Sequence, residues 1–244
     1  KTCYYICFIV EKIIFFRVAK IQHILLNLMS LYKTITVNSA TKVLIWKIEE
    51  SFDTLLKNIE LSTKNTDRLN SMKSILHQKG FLSIRHLLAI EGYTDYDLYY
   101  DTNGKPHLKD GLYISITHSF IFSAIILSDI KVGIDVEKKR DKILRIAHKF
   151  TFFKNLDKLS LISKIRKLTI IWCAKESLYK SFNRVGLTFL NHIHVEDFNL
   201  HQNETTAIVN FDNKIESYHI WFQEFEDFTC AYALINNKID ESII

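Results

Sequence analysis

Residues 131–137 constrain the fold and chemistry of this chain most. Their side chains alternate, which predicts a strand with Gly133, Asp135 and Glu137 on one face and aliphatic residues on the other. Carboxylates two residues apart on a strand project from the same face, so Asp135 and Glu137 can share one cation. A hard cation such as Mg²⁺ prefers carboxylate and phosphate oxygens. The glycine leaves room beside the acids. The stretch therefore predicts a metal site that handles phosphate.

A second stretch predicts a helix from about Ile162 to Phe182. Its apolar stripe consists of Leu168, Ile171, Trp172, Leu178, Tyr179 and Phe182. Lys175 interrupts this stripe, and Glu176 and Lys180 stand one turn apart on the same face. Taken alone, such a pair is a surface ion pair worth about 0.2–0.5 kcal/mol, and the strand acids alone are a solvated edge. Both stretches in one small chain favour a shared site.

The remaining pattern mixes strands and helices, which predicts the α+β class. A strand is expected at Thr41–Ile48 and a helical region at Asn65–Ile90, broken near Gly80. Strands at Ser123–Leu127 and Lys131–Glu137 are expected to form a hairpin that turns at Ser128 and Asp129.

Composition sets limits on the class of protein. The chain has 244 residues, 48% of them hydrophobic, which is enough for a sizeable core. Its four cysteines show neither metal-ligand spacing nor a disulfide framework, and this predicts a reducing, cytoplasmic location. The net charge of +5 is too small to indicate a nucleic-acid partner.

The first 28 residues precede the first methionine of the chain. The chain begins with Lys1, and its first methionine is Met29. We predict that translation starts at Met29 and that residues 1–28 are upstream sequence. The alternative is an amphipathic anchor on a membrane surface; charges interrupt the apolar run, so a membrane-spanning helix is not expected.

The motifs in these stretches resemble those of the 4′-phosphopantetheinyl transferases, and most closely the larger, monomeric group that activates surfactin synthetase. G-I-D-V-E at 133–137 and W-C-A-K-E-S-L-Y-K at 172–180 fill every position of that signature, and Glu176 lies 41 positions after Asp135. Upstream, G-K-P-H-L at 104–108 and S-I-T-H-S at 115–119 also match, the latter with Thr117 in place of serine. The resemblance covers about Leu31 to Leu234.

The resemblance implies a fold and a domain arrangement. Such proteins have two similar α/β halves, related by an approximate twofold axis, with the active site between them. Applied to this chain, the halves would be residues 29–128 and 129–244, the second carrying the metal-binding motifs. It also implies a monomer that binds no nucleic acid and no membrane.

The resemblance also implies an activity. These enzymes transfer the 4′-phosphopantetheine arm of coenzyme A to a serine of an apo acyl or peptidyl carrier protein, and release adenosine 3′,5′-bisphosphate. Mg²⁺, or Mn²⁺ in its place, would bridge the diphosphate. The alternative is a silent module of the same fold that binds coenzyme A or a carrier protein. The intact acids and lysine favour the enzyme.

Residue roles follow from the matching positions. The metal ligands would be Asp135, Glu137 and Glu176, and Glu176, directly or through a metal-bound water, would be the general base. The other catalytic residues would be Lys180, on a phosphate oxygen, and His118. Residues expected to contact the coenzyme are Arg85, Lys105, Pro106, Thr117, His118 and Lys180.

Overall fold

The computed structural model describes residues 30–57, 59–152 and 156–236. The predictions for residues 1–28 lie outside these ranges. In the described part of the chain, no helix is both long enough and apolar enough to span a membrane.

Eleven strands are present in the described ranges. They are β1 (Leu31–Thr36), β2 (Lys42–Lys47), β3 (Leu98–Tyr100), β4 (Pro106–Leu108), β5 (Tyr113–Ser119), β6 (Phe122–Ser128), β7 (Val132–Lys138), β8 (Ile193–Val195), β9 (Glu204–Phe211), β10 (Lys214–Phe225) and β11 (Phe228–Ile235). The helices are α1 (Phe52–Lys57), α2 (Thr63–Ser71), α3 (Ile75–Ile90), α4 (Lys142–Ile146), α5 (Leu161–Phe182) and α6 (Phe189–His192). Short 3₁₀ turns follow α4 and precede α5. The mixture confirms the predicted α+β class.

The strands form two main antiparallel sheets that share part of their connectivity. The first has the order β1-β2-β6-β5 and the second the order β7-β11-β10-β9-β8, while β3 and β4 form a separate hairpin. In the first sheet β2 precedes the long helix α3 and pairs with β6, which also pairs with β5. In the second sheet β7 precedes the long helix α5 and pairs with β11, which also pairs with β10. This repeated pattern agrees with two similar halves, one built around α3 and the other around α5.

Each long helix covers one face of its own sheet. Leucines and isoleucines of α3 pack on β2 and β6, and apolar residues of α5 pack on β10 and β11. A third buried cluster is formed by the opposite faces of β2, β6, β7 and β11 and so contains residues of both sheets. The two halves therefore share apolar core as well as polar contacts.

Hydroxyl groups join the two sheets where β5 runs beside β7. Ser115 Oγ accepts a hydrogen bond from the backbone N–H of Ile134 (3.1 Å), and Thr117 Oγ1 accepts one from Val136 N–H (3.3 Å). Both N–H groups belong to the β7 edge that, among the described residues, has no strand partner in its own sheet. These bonds satisfy buried donors and hold the S-I-T-H-S segment against the acids of β7.

Two local predictions are wrong. Strands β6 and β7 do not form a hairpin; β6 is buried on both faces between β2 and β5, and the chain crosses to the second sheet between Ser128 and Val132. The observed hairpin is β5–β6. The helical region breaks between α2 and α3, not at Gly80, which lies within α3.

Candidate active site

Helix α5 approaches β7 so closely that only glycine fits at position 133. A β-carbon on Gly133 would lie 1.8 Å from the carbonyl oxygen of Ser177. The room that the sequence predicted beside the acids is therefore filled by the helix backbone. The close approach brings the face of α5 that carries Glu176 and Lys180 to the face of β7 that carries Asp135.

Local capping fixes both ends of α5. The Ser160 hydroxyl accepts a hydrogen bond from the Ser163 N–H (3.2 Å) at the N-terminus. Asn183 adopts a left-handed conformation with φ of 51° at the C-terminus, and its N–H donates to Tyr179 O (2.9 Å). The predicted helix is confirmed to within one residue at its start.

Asp135 is the most enclosed of the three acids, with 5% of its surface exposed. Its Oδ1 accepts hydrogen bonds from Lys180 Nζ (2.7 Å) and Thr117 Oγ1 (3.0 Å). Within the described ranges its buried Oδ2 has no hydrogen-bond partner. A buried carboxylate oxygen without a partner is costly, so this atom is available to a ligand.

Glu137 is held by an indole and a hydroxyl. Trp172 Nε1 donates to its Oε1 (3.3 Å), and Ser119 Oγ donates to its Oε2 at the longer distance of 3.5 Å. Burial, followed by the negative charge of Asp135, raises the pKa of Glu137. Trp172 was interpreted as a core residue; its ring does pack on Phe150 and Phe189, but its N–H also positions Glu137.

Glu176 faces the strand acids from α5. Burial raises the pKa of Glu176 to about 7, and the nearby Asp135 contributes the next largest effect. The positive charge of Lys180 opposes this rise. A carboxyl group with this pKa exchanges protons near neutral pH, as a general base must.

The three acids are candidate metal ligands. In the described part of the chain, no three His, Cys, Asp or Glu side chains converge closely enough to form a ready-made metal cluster. Instead, Lys180 holds Asp135 and Trp172 holds Glu137. The residues nevertheless fit a divalent cation, because an unpartnered oxygen of Asp135 lies near Glu137 and Glu176, whose pKa values are raised in part by the negative charge of Asp135. Oxygen ligands of this kind suit Mg²⁺.

A cavity of about 440 Å³ lies beside the acids, between the two halves. It is lined by residues of α2 and α3, the β3–β4 hairpin, β5 and the end of α5. Five of the six residues predicted to contact the coenzyme line this cavity. They are Arg85, Lys105, Pro106, His118 and Lys180. Lys180 also bonds Asp135, so it connects the cavity to the acids.

The other basic groups of the cavity are held close together. Lys105 Nζ donates to Ser181 O (3.1 Å), and burial lowers the pKa of Lys105. Burial also lowers the pKa of His118, with further contributions from His77 and Lys180. The rings of His77 and His118 lie 5.6 Å apart. Gly80 permits this placement, since a β-carbon there would lie 3.1 Å from His118 Cγ.

Arg85 is held by residues of its own half, but its buried Nη2 has no hydrogen-bond partner among the described residues. Its side chain is 3% exposed, its Nε donates to Asp95 Oδ1 (3.0 Å), and its guanidinium stacks on Phe81. Arg68, which sequence reasoning did not single out, lines the same cavity with its guanidinium over the Tyr100 ring. Across the described ranges Arg68 forms no salt bridge, so its charge is available to an anion.

Thr117 lies beside the acids, and His77 lies in the cavity. Thr117 directs its hydroxyl to Asp135 and is absent from the cavity lining. His77, like Arg68, lies in the cavity lining without belonging to any recognised motif. A basic residue on an otherwise unremarkable helix gives no sequence signal, so only the fold brings these groups to the site.

Comparisons with known proteins agree with this geometry. A sequence model described as the 4′-phosphopantetheinyl transferase superfamily matches residues 131–233. The 4′-phosphopantetheinyl transferase gsp of Aneurinibacillus migulanus is 27% identical over 141 residues, which cover 56% of this chain and 57% of that protein. The comparisons support the 4′-phosphopantetheinyl transferase superfamily for this chain.

The superfamily match covers one half of the molecule. It begins one residue before β7 and ends within β11, so it contains all three acids and Lys180. Most of the cavity is contributed by the first half, outside that match. The likeness to gsp supports the larger group of these transferases, and the chain spans a little over half the length of that relative.

Proposed function

We propose that this protein transfers the 4′-phosphopantetheine arm of coenzyme A to a serine of an apo acyl or peptidyl carrier protein. The observation that carries the proposal is the position of Lys180. It lines the cavity between the halves and lies 2.7 Å from Asp135, so one cation connects a basic cavity to three acids. Transfer of a phosphoryl group between a nucleotide and a hydroxyl needs this combination.

The cavity is proposed to hold coenzyme A. Its volume falls in the range of small-molecule sites, and its cations suit a ligand with several phosphates. Lys105 and His118 are proposed to contact phosphate groups, with Pro106 beside them on β4. We add Arg68 to this set. Arg85 stays in it, since its buried Nη2 has no hydrogen-bond partner among the described residues, and we assign Thr117 to positioning, since its hydroxyl bonds Asp135.

The reaction forms a bond between the carrier serine Oγ and the β-phosphorus of coenzyme A. The bond from that phosphorus to the bridging oxygen breaks, and adenosine 3′,5′-bisphosphate leaves. Glu176 is proposed to accept the serine proton, directly or through a water. Lys180 is proposed to leave Asp135 for a phosphate oxygen and to stabilise the charge that develops there.

Asp135, Glu137 and Glu176 are proposed to hold Mg²⁺ or Mn²⁺. When bound, the cation supplies positive charge for the diphosphate oxygens. Asp135 Oδ2 is the atom most ready to bind it, while Trp172 keeps the Glu137 carboxylate in place. The buried free thiols of Cys173 and Cys230 are in keeping with a reducing cytoplasm, and we propose that location.

The test is direct transfer. The protein is incubated with coenzyme A, Mg²⁺ and apo carrier proteins, and the carriers are weighed intact. We expect a mass gain of one arm and release of the bisphosphate. Glu176→Gln should lower the rate by at least about 100-fold, whereas Glu60→Gln, an exposed matched control, should not change it. Coenzyme A binding without any modified carrier would favour the silent binding module.

A further inference from the structure

A second cavity, of about 550 Å³, lies in the second half of the molecule. Its walls include residues of α5, α6 and β8 and the residues that follow β8. Among the described residues, none lines both this cavity and the one proposed for the coenzyme. Its volume falls in the range of small-molecule sites, and the proposed transfer reaction does not use it.

One face of α5 forms a wall of the second cavity. Lys167, Ile171 and Lys175 all line it, and their spacing of four residues places them on one face of the helix. Glu176 and Lys180 lie on the adjacent face, which is directed to β7. The second cavity and the candidate active site therefore use different faces of the same helix.

Lys175 is a buried cation without a carboxylate partner in the described ranges. It is 5% exposed, and its Nζ donates to Phe189 O (2.7 Å) and Ile193 O (2.6 Å). An ammonium group has three donors, so one N–H remains for another acceptor. Lysine is rarely buried unless it is paired, because removing its charge from water is costly. This position therefore suits an anion from outside the chain.

The other charged groups of the second cavity already have partners. Lys167 Nζ bonds the Asp197 carboxylate and also donates to Phe198 O (2.8 Å). His194 Nε2 lies 3.4 Å from a carboxylate oxygen of Glu196. Among the described residues of the lining, Lys175 is thus the cation that an anionic ligand would meet without displacing a carboxylate.

Apolar side chains make up much of the remaining wall. Those contributed by α5, α6, β8 and the residue three positions after β8 are Ile171, Leu190, Ile193, Val195 and Phe198. Such a wall favours an apolar chain, which is stabilised by removal from water. A ligand with many polar groups would leave most of them without partners here.

We propose that the second cavity binds a small carboxylate with an apolar chain. The carboxylate would accept a charge-assisted hydrogen bond from Lys175 Nζ, and the chain would lie against Ile171, Leu190 and Val195. The inference goes beyond the proposed transfer and does not depend on it.

The test compares three probes by calorimetric titration of the full chain at neutral pH. Decanoate has both the charge and the apolar chain, decanol has the chain alone, and acetate has the charge alone. We expect decanoate to bind in a saturable manner, at least about tenfold more tightly than either of the others. Equal affinity for decanoate and decanol, or no saturable binding of decanoate, would overturn the proposal.

Two variants test the two parts of the site. Lys175→Met keeps an unbranched side chain without the charge, and it should lower decanoate affinity at least about tenfold while leaving decanol unchanged. Leu190→Trp fills part of the cavity at a half-buried position, and it should weaken both decanoate and decanol. The exposed Lys57→Met is the control and should bind decanoate as the wild type does. Wild-type affinity for decanoate in both Lys175→Met and Leu190→Trp would contradict the site.

A competition experiment locates the bound decanoate. Coenzyme A should not displace it, because the two cavities have different linings, and Leu190→Trp should bind coenzyme A as the wild type does. Displacement of decanoate by coenzyme A would place it in the first cavity and overturn the proposal. Decanoate binding that depends on Lys175 in a protein that transfers nothing would support this site while contradicting the proposed activity.

Discussion

At the scale of single residues, the raised pKa of Glu176 should make the stability of the protein depend on pH. Its pKa is about 7 in the folded protein against 4.5 in an unfolded chain. The folded state therefore binds more protons between pH 4.5 and 7, and the free energy of unfolding falls as pH rises through that window. Without divalent metal, we expect a loss of roughly 2 kcal/mol, allowing for partial solvent exposure.

The measurement is denaturant unfolding at pH 5 and pH 7.5. Glu176→Gln should remove most of the difference between the two pH values, and Glu60→Gln should keep it. Mg²⁺ should stabilise the wild type more at pH 7.5 than at pH 5, because the carboxylate must be ionised to bind a cation. A Glu176→Gln variant with the wild-type pH dependence would contradict the assignment.

Lys175 should change the stability with pH in the opposite direction. It interrupts the apolar stripe of α5 as the sequence indicated, and the structure buries it with Nζ donating to Phe189 O (2.7 Å) and Ile193 O (2.6 Å). Burial lowers its pKa to about 8. The unfolded chain binds more protons between pH 8 and 10.5, so this residue makes stability rise with pH there.

We expect that contribution to reach roughly 3 kcal/mol across the window. Unfolding free energies of the wild type and Lys175→Met, measured at pH 7.5 and pH 10, should diverge by that amount as pH rises. The exposed Lys57→Met serves as the control and should follow the wild type. Parallel curves for Lys175→Met and the wild type would mean that Lys175 is well solvated.

At the scale of elements, the contact between β7 and α5 decides the geometry of the site. Gly133→Ala would place a methyl group against the Ser177 carbonyl, which cannot rotate away because it belongs to the helix backbone. We expect a loss of roughly 1–3 kcal/mol in unfolding free energy and a larger loss of transfer activity, since Glu176 and Lys180 move with the helix.

Gly80→Ala is the matched control for this change. Its new methyl group would meet only the His118 side chain, which can shift by a few tenths of an ångström. Alanine also favours the helix by about 1 kcal/mol, so stability should stay level or rise. Circular dichroism melts of both variants check the contrast; equal melting temperatures would show that α5 tolerates displacement from β7.

Sequence patterns predicted these two elements well and their surroundings less well. The alternation of β7 and the apolar stripe of α5 are local signals, and both elements lie where they were expected. The predicted hairpin between β6 and β7 was wrong. It was expected because two consecutive strands with a short connection usually pair. Here β6 pairs with β2 and β5, and the pairing with β2 joins residues far apart in the sequence. A local sequence pattern does not predict such a pairing.

At the scale of the whole molecule, the site depends on both halves. The acids lie on the second half, most of the cavity lies on the first, and the superfamily match covers only the second. This explains why motifs predicted the acids while Arg68 and His77 went unnoticed. The cavity exists only because β5 lies beside β7, so the contact between the sheets is part of the site.

Thr117 links the halves and the acids at once. Its hydroxyl accepts from Val136 N–H (3.3 Å) and donates to Asp135 Oδ1 (3.0 Å). Thr117→Val keeps the shape of the side chain but leaves both partners without this bond. We expect a loss of roughly 1–3 kcal/mol in unfolding free energy and a reduced affinity for Mg²⁺, because Asp135 loses one of the two groups that orient it.

Thr117→Ser is the informative control, since serine keeps the hydroxyl and loses only a methyl group. It should retain the metal affinity of the wild type, measured by calorimetry, and most of its stability in denaturant. If the serine variant is impaired as much as the valine variant, the methyl group of Thr117 and not its hydroxyl joins the two halves, and Asp135 is oriented by Lys180 alone.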